Sequence, residues 1–141
     1  MRPARARAAA FAILRLGLLF GGLVIIVDLA SLAMFQRTLS PDDQAAIGQA
    51  DELLNWILFS VLGIVVVRTT RLFYAGVLAG LVGALVDSAV VTAAQVMAPI
   101  GGTQVSIQEV LLRNLIIGVA FAGVSGIVYA LIQRSAAGRP R

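Results

Sequence analysis

The sequence predicts an all-α integral membrane protein with four transmembrane helices. Of its 141 residues, 60% are hydrophobic and 13% are charged, and the mean hydropathy is +0.96. A soluble domain of this size cannot hide that much apolar surface. The apolar residues also form four runs, and a helix needs about 20 such residues to cross a bilayer. We therefore predict an up-down bundle with spans near 11–35, 50–67, 73–97 and 108–132.

Two of the four spans are preceded by a helix-start signal. Before span two, Ser40 is a candidate N-cap, Pro41 suits the first helical position, and two acids follow where the helix dipole favours them. The second helix is therefore expected to begin near Pro41, with an exposed extension before its apolar part. Before span four, Ser106 and Glu109 have the spacing of a capping box.

The distribution of arginine predicts the orientation in the membrane. Arginines lie before span one, between spans two and three, and after span four, whereas the other two connections are acidic or neutral. By the positive-inside rule, both termini are cytoplasmic. A signal peptide cleaved near 31–33 is the alternative, and Arg15 and Asp28 within the apolar run argue against it. The predicted segments are a basic cytoplasmic N-terminal segment (1–10), a first helical hairpin (11–67), a cytoplasmic loop (68–72), a second helical hairpin (73–132) and a basic cytoplasmic tail (133–141).

A shift of 59 residues aligns the chain with itself without a gap. Asp28 then falls on Asp87, and Asn55 falls on Asn114. Such residues are rare within membrane spans, and Gln36 also falls on Gln95. We therefore predict two tandem, parallel hairpin repeats related by a pseudo-twofold axis along the membrane normal. Coincidence among apolar helices is the alternative interpretation.

Small residues spaced three or four apart indicate the faces on which the helices pack. Asp28 and Asp87 continue two of these stripes, so both carboxylates are expected to face away from lipid. Three of the four helices carry a stripe, which is more than a four-helix core needs. We therefore expect a spare face that binds a second copy of the chain or another membrane protein. The glycines predicted to pack are Gly17, Gly21, Gly76, Gly80, Gly83, Gly118 and Gly126.

The candidate polar site consists of Asp28, Asn55, Asp87, Asn114 and Arg113. In one interpretation, each aspartate bonds the asparagine of its own hairpin and joins two helices. In the other, the two carboxylates face each other and bind a cation or exchange a proton. Arg113 is expected to point away from Asn114 around the helix, and it can pair with one of the aspartates.

The composition also excludes several classes of function. The chain has neither Cys nor His, which removes disulfides, Cys/His zinc sites, thiol nucleophiles and histidine acid–base catalysis. Its serines have no His or Lys as a base. Its arginines flank the spans and form no basic stripe. We therefore expect no enzyme, no metal, no cofactor and no nucleic-acid partner.

The leading hypothesis is a non-enzymatic accessory or assembly subunit of a bacterial cytoplasmic (inner) membrane. Its partners would be the lipid bilayer and either another membrane protein or a second copy of itself. The bacterial assignment follows from the use of Arg without Lys together with abundant Ala and Gly, which is typical of a GC-rich genome. The alternative is a homo-oligomeric transporter or channel, coupled to protons or cations through Asp28 and Asp87.

Overall fold

In its computed structural model the protein is all-helical, with four long apolar helices. The structure describes residues 3–35, 37, 40–97 and 106–137. Each helix contains a stretch long and apolar enough to span a membrane, which confirms the four predicted spans. Four parts of the sequence predictions lie outside the described residues: the arginines at 2, 139 and 141, Gln36, the connection at 98–105 and the end of the tail. The helices are α1 (Pro3–Phe35), α2 (Pro41–Thr70), α3 (Ala75–Met97) and α4 (Ile107–Ala137).

Three helices extend beyond the apolar runs that predicted them. α1 begins at Pro3, so the basic N-terminal segment is helical rather than a separate extension. α4 continues to Ala137, within the predicted tail. Hydropathy indicates which residues can lie in lipid. Helix formation depends on the helix propensity of the residues, so a helix can continue beyond its apolar run. Ala and Arg are strong helix formers in water as well.

The predicted start of α2 is confirmed in detail. Ser40 is the N-cap, its Oγ accepts a hydrogen bond from the Asp43 backbone N–H at 3.2 Å, and Pro41 takes the first helical position. At the start of α4, the Ser106 carbonyl oxygen accepts from the Glu109 backbone N–H at 3.0 Å. At the start of both helices, a backbone N–H group of the first turn thus has an acceptor on the preceding serine.

Glycines bring three pairs of helices into backbone contact. A Cβ built on Gly21 of α1 would lie 3.0 Å from the Gly83 Cα of α3. A Cβ built on Gly80 of α3 would meet the Gly118 carbonyl oxygen of α4. A Cβ built on Gly126 of α4 would lie 3.1 Å from the Gly63 carbonyl oxygen of α2. These contacts leave no room for a side chain, so the three helix pairs depend on glycine.

The order of the helices around the bundle is α1, α2, α4, α3. α1 packs on α2 and α3, and α4 packs on α2 and α3. α2 also contacts α3, whereas the described parts of α1 and α4 do not touch. A twofold axis that exchanges α1 with α3 and α2 with α4 would make those last two pairs equivalent. The bundle therefore departs from strict twofold symmetry, and the pseudo-twofold axis stays a prediction. Equivalent positions of the two repeats, such as Gly63 and Ala122, do contact each other.

The interior combines the small residues of α3 with a few large side chains of α2, Phe59 and Leu62, and many large apolar residues lie outside. The fully buried positions of α3 include Ala75, Ala79 and Ala84. Large aliphatic side chains such as Leu18, Ile26 and Leu131 are exposed on the outer surface. This distribution suits a lipid environment, where association depends on close packing rather than on removing apolar surface from water.

Candidate functional site

Two hydrogen bonds between aspartate and asparagine cross the interior of the bundle. The Asn55 Nδ2 of α2 donates to the Asp28 Oδ1 of α1 at 2.7 Å. The Asn114 Nδ2 of α4 donates to the Asp87 Oδ2 of α3 at 2.7 Å. In both cases the partners are 27 residues apart in the chain. Each bond therefore joins the two helices of one predicted hairpin.

The two aspartates also face each other. Their carboxyl groups lie within hydrogen-bonding reach, one from α1 and the other from α3. Asp87 is almost completely buried, with 1% of its surface exposed, and Asp28 is half-buried. An ionised carboxylate only accepts hydrogen bonds. A bond between these two groups therefore requires a proton on one of them.

Two buried oxygens of this cluster have no hydrogen-bond donor. They are the Asp87 Oδ1 and the Asn55 Oδ1, the atoms left over after each residue has made its interhelical bond. Buried polar atoms in proteins nearly always have a partner, and an unpaired one is costly. When both aspartates are ionised, the cluster thus has acceptor capacity that the described protein atoms do not satisfy.

A cavity of about 230 Å³ lies next to the aspartates. It is located at the end of the bundle where α1 ends and where α2 and α4 begin. Its wall combines polar or charged residues with apolar ones. The polar and charged lining residues are Asp51, Glu52, Asn55, Asp87, Arg113 and Asn114. The apolar lining residues include Val24, Phe35, Phe59 and Ile117.

The cavity includes two acids that the sequence analysis did not place in the site. Asp51 and Glu52 were assigned to an exposed extension of α2, yet both line the cavity, and the Asp51 Oδ1 accepts a hydrogen bond from the Ser31 Oγ at 2.6 Å. The available signal was spacing. Asp51 precedes Asn55 by four residues, and Phe59 follows by four more, so these side chains share one helix face.

Arg113 lies at the same cavity but remains exposed. Its guanidinium is close enough for its charge to act on the Asp28 carboxyl across the bundle. Among the described residues that line the cavity, Arg113 is the only one with a positive charge, and three are acids. Since the acids outnumber it, the wall of the cavity carries a net negative charge when all are ionised.

The described residues do not form a conventional metal site. None of their Asp and Glu side chains cluster in a group of three or more that could hold a metal ion. What they form is an interior cluster in which acceptors outnumber donors. Such a cluster can bind a proton, or a ligand that donates hydrogen bonds.

The fold and the site together define a class of protein. Four candidate membrane-spanning helices indicate a multi-pass membrane protein, and its interior carries an acidic, partly unsatisfied cavity. Comparisons with protein-family models, with curated proteins and with solved structures gave no significant match for the chain. Its function must therefore be inferred from the site itself.

Proposed function

We propose that this protein is a small, non-enzymatic membrane transporter that takes up a proton or a cation between Asp28 and Asp87. The observation that carries the proposal is that the two carboxyl groups face each other inside the bundle. Two unit negative charges 4 Å apart repel by roughly 4 kcal/mol at an effective dielectric constant of 20. A proton or a cation between them removes that repulsion, and its uptake and release are the elementary step of ion-coupled transport.

Structural bonding alone does not account for this arrangement. The Asp28–Asn55 and Asp87–Asn114 bonds can each hold two helices together. Neither bond requires the two aspartates to be neighbours, and neither requires a cavity beside them. Placing two acids together opposes packing, so we interpret their proximity as functional.

The accessory-subunit hypothesis loses its main support. It depended on a spare glycine face, but all seven predicted glycines have close neighbours on another helix of the same chain. A Cβ built on Gly17, for example, would lie 2.8 Å from the Val82 Cβ of α3. A partner protein or a second copy stays a prediction. Both carboxylates come from one chain, so the site itself requires neither.

The proposal includes the up-down topology, with both termini in the cytoplasm of a bacterial inner membrane. The described arginines near the predicted cytoplasmic ends, among them Arg5, Arg68 and Arg134, are exposed, as this orientation requires. The cavity then opens toward the outside.

The equal separations of the two Asp–Asn pairs support an internal duplication. Contacts between equivalent positions of the repeats, such as Gly63 with Ala122, agree with a pseudo-twofold relation of the two hairpins.

The test is ion flux in vesicles that contain the purified protein. Proton, Na⁺ and K⁺ gradients are imposed in turn, and the wild type is compared with the Asp28→Asn/Asp87→Asn double variant. The amides preserve size and hydrogen bonding, so the fold should survive, and circular dichroism checks this. The control is Asp42→Asn/Glu109→Gln, which removes two exposed acids outside the cavity.

We expect flux in the wild type and in the control and none in the Asp28/Asp87 variant. Equal flux in the two double variants would refute the transport role of the aspartates. Absence of wild-type flux, combined with stoichiometric copurification of a larger membrane protein, would restore the accessory-subunit hypothesis.

A further inference from the structure

We infer that the cavity beside Asp87 binds a small primary ammonium ion with a short hydrocarbon part. The inference rests on the proposed function and names the class of cation that the protein would carry. It is drawn from the size of the cavity, from its unsatisfied acceptors and from the presence of both acidic and apolar residues in its wall.

The size of the cavity indicates a ligand larger than a bare ion. A water molecule occupies about 30 Å³ in the liquid, and the cavity measures about 230 Å³. A proton between the carboxyl groups would leave this space unused. An organic molecule of a few non-hydrogen atoms fits within it.

The unsatisfied acceptors indicate a ligand that donates hydrogen bonds. Asp87 is 1% exposed, its Oδ1 has no donor, and the residue lines the cavity. The Asn55 Oδ1 is also buried without a donor, in a residue that lines the same cavity. Both oxygens have almost no accessible surface, so ligand binding requires that the two side chains turn toward the cavity. A primary ammonium group carries three N–H donors and can then satisfy more than one acceptor at once.

The charges of the wall indicate that the donor is a cation. Asp51 and Glu52 on α2 and Asp87 on α3 line the cavity, and Arg113 on α4 is the only described lining residue with a positive charge. Asp28 on α1 adds a further acid within reach of Asp87. A cation in the cavity is therefore attracted from three of the four helices.

The apolar lining residues favour an organic cation over a metal ion. Phe35, Phe59, Val24 and Ile117 offer no oxygen atoms to a metal, whereas Ca²⁺ takes about six to eight oxygen ligands. The same side chains can cover a short alkyl group. Aromatic rings also attract ammonium groups through cation–π interactions when the geometry allows it. The ammonium end and the alkyl end thus each have a matching surface.

The test uses butylammonium as the probe and isothermal titration calorimetry on the purified, detergent-solubilised protein at neutral pH. Butyrate has a similar chain with the opposite charge, 1-butanol is neutral, and tetramethylammonium is a cation without N–H donors. The variants are Asp87→Asn in the cavity and Asp42→Asn as an exposed control outside it. Glu52→Gln serves as a second cavity variant at an exposed position, in case Asp87→Asn does not fold.

We expect butylammonium to bind and the other three probes to bind at least about tenfold more weakly. Asp87→Asn should weaken butylammonium binding by about tenfold or more, because it replaces a carboxyl oxygen that can accept from the ammonium group with an amide group that donates. Glu52→Gln should weaken binding severalfold, and Asp42→Asn should leave it unchanged. Equal binding of butylammonium and tetramethylammonium, or equal binding by all three variants, would overturn the inference.

The outcome separates this inference from the transport proposal. Proton or Na⁺ flux that requires Asp28 and Asp87, without any binding of butylammonium, would overturn the ammonium site alone. Binding of butylammonium that depends on Asp87, without any cation flux, supports the site and overturns transport alone.

Discussion

Replacement of Gly80 by alanine is the most direct test of the helix packing. Gly80 lies where the backbones of α3 and α4 are closest. A Cβ at this position would collide with the Gly118 carbonyl oxygen, and it would lie 2.9 Å from the Ala122 Cβ. Ordinary contacts begin at 3.4 Å, so the second contact alone requires a displacement of about 0.5 Å. Overpacking of this kind costs about 1–3 kcal/mol, and we expect a loss of stability in that range.

Two other glycines provide a graded comparison. A Cβ at Gly83 would lie 3.1 Å from the Phe59 Cε1, which belongs to a side chain and can move more easily than a backbone carbonyl. A Cβ at Gly22 would have nothing within 4 Å. Gly22→Ala should therefore be neutral, or stabilising by up to about 1 kcal/mol through helix propensity. The expected order of destabilisation is Gly80→Ala, then Gly83→Ala, then Gly22→Ala.

The assay is unfolding in mixed micelles, with increasing SDS and helicity followed by circular dichroism. Each variant is compared with the wild type in the same detergent, so differences in unfolding free energy report the substitution. If Gly80→Ala is as stable as Gly22→Ala, then α3 and α4 do not approach as closely as described, and the glycine-based account of the fold is wrong.

Four further substitutions test individual polar contacts. Asn114→Leu should destabilise the protein by about 0.6–2 kcal/mol in the SDS titration. The loss should exceed that of Asn55→Leu, because Asn114 is 7% exposed and Asn55 is less buried. The reverse order would contradict this. Ser125→Ala removes the donor of the 2.9 Å bond from α4 to the Ser60 carbonyl oxygen of α2, and a loss of about 0.6 kcal/mol is expected from the same titration, with no change at all counting against it. Ser40→Ala should cost about 0.5–2 kcal/mol locally, seen as faster amide hydrogen exchange in the first turn of α2, and unchanged exchange would show that the cap contributes little.

The four helices could be predicted because a bilayer leaves a long apolar segment few alternatives. Backbone groups in lipid must bond within their own segment, which a helix achieves. The ends of the helices were less predictable. The basic segment before residue 11 is rich in Ala and Arg, and α1 continues through it to Pro3. The apolar run marks the part of the helix that suits lipid and does not mark the helix itself.

Helix geometry alone predicted the contacts within each hairpin, whereas the facing of the two aspartates was one of two interpretations that the sequence left open. Asp28 and Asn55 lie at similar depths on neighbouring helices, so their proximity followed from helix geometry. The order of the helices depends on which glycine face meets which, and several combinations satisfy the same stripes. Gly63, whose Cβ would collide with the Ala122 carbonyl oxygen, was not among the predicted glycines. Its role depends on the α2–α4 contact, which the sequence pattern did not predict.

If the proposed transport function holds, the position of Phe59 limits how an ion could cross the described conformation. Its ring is 2% exposed, lines the cavity and packs near Gly83 and Gly118. Beyond it, the buried residues of α2 are Leu62, Gly63 and two valines, which offer no polar side chain. The cavity is thus a blind pocket rather than a continuous pore. A bound ion can cross only if the helices part along their glycine contacts. Such collective motions take microseconds to milliseconds, so turnover would be that of a carrier and not that of a channel.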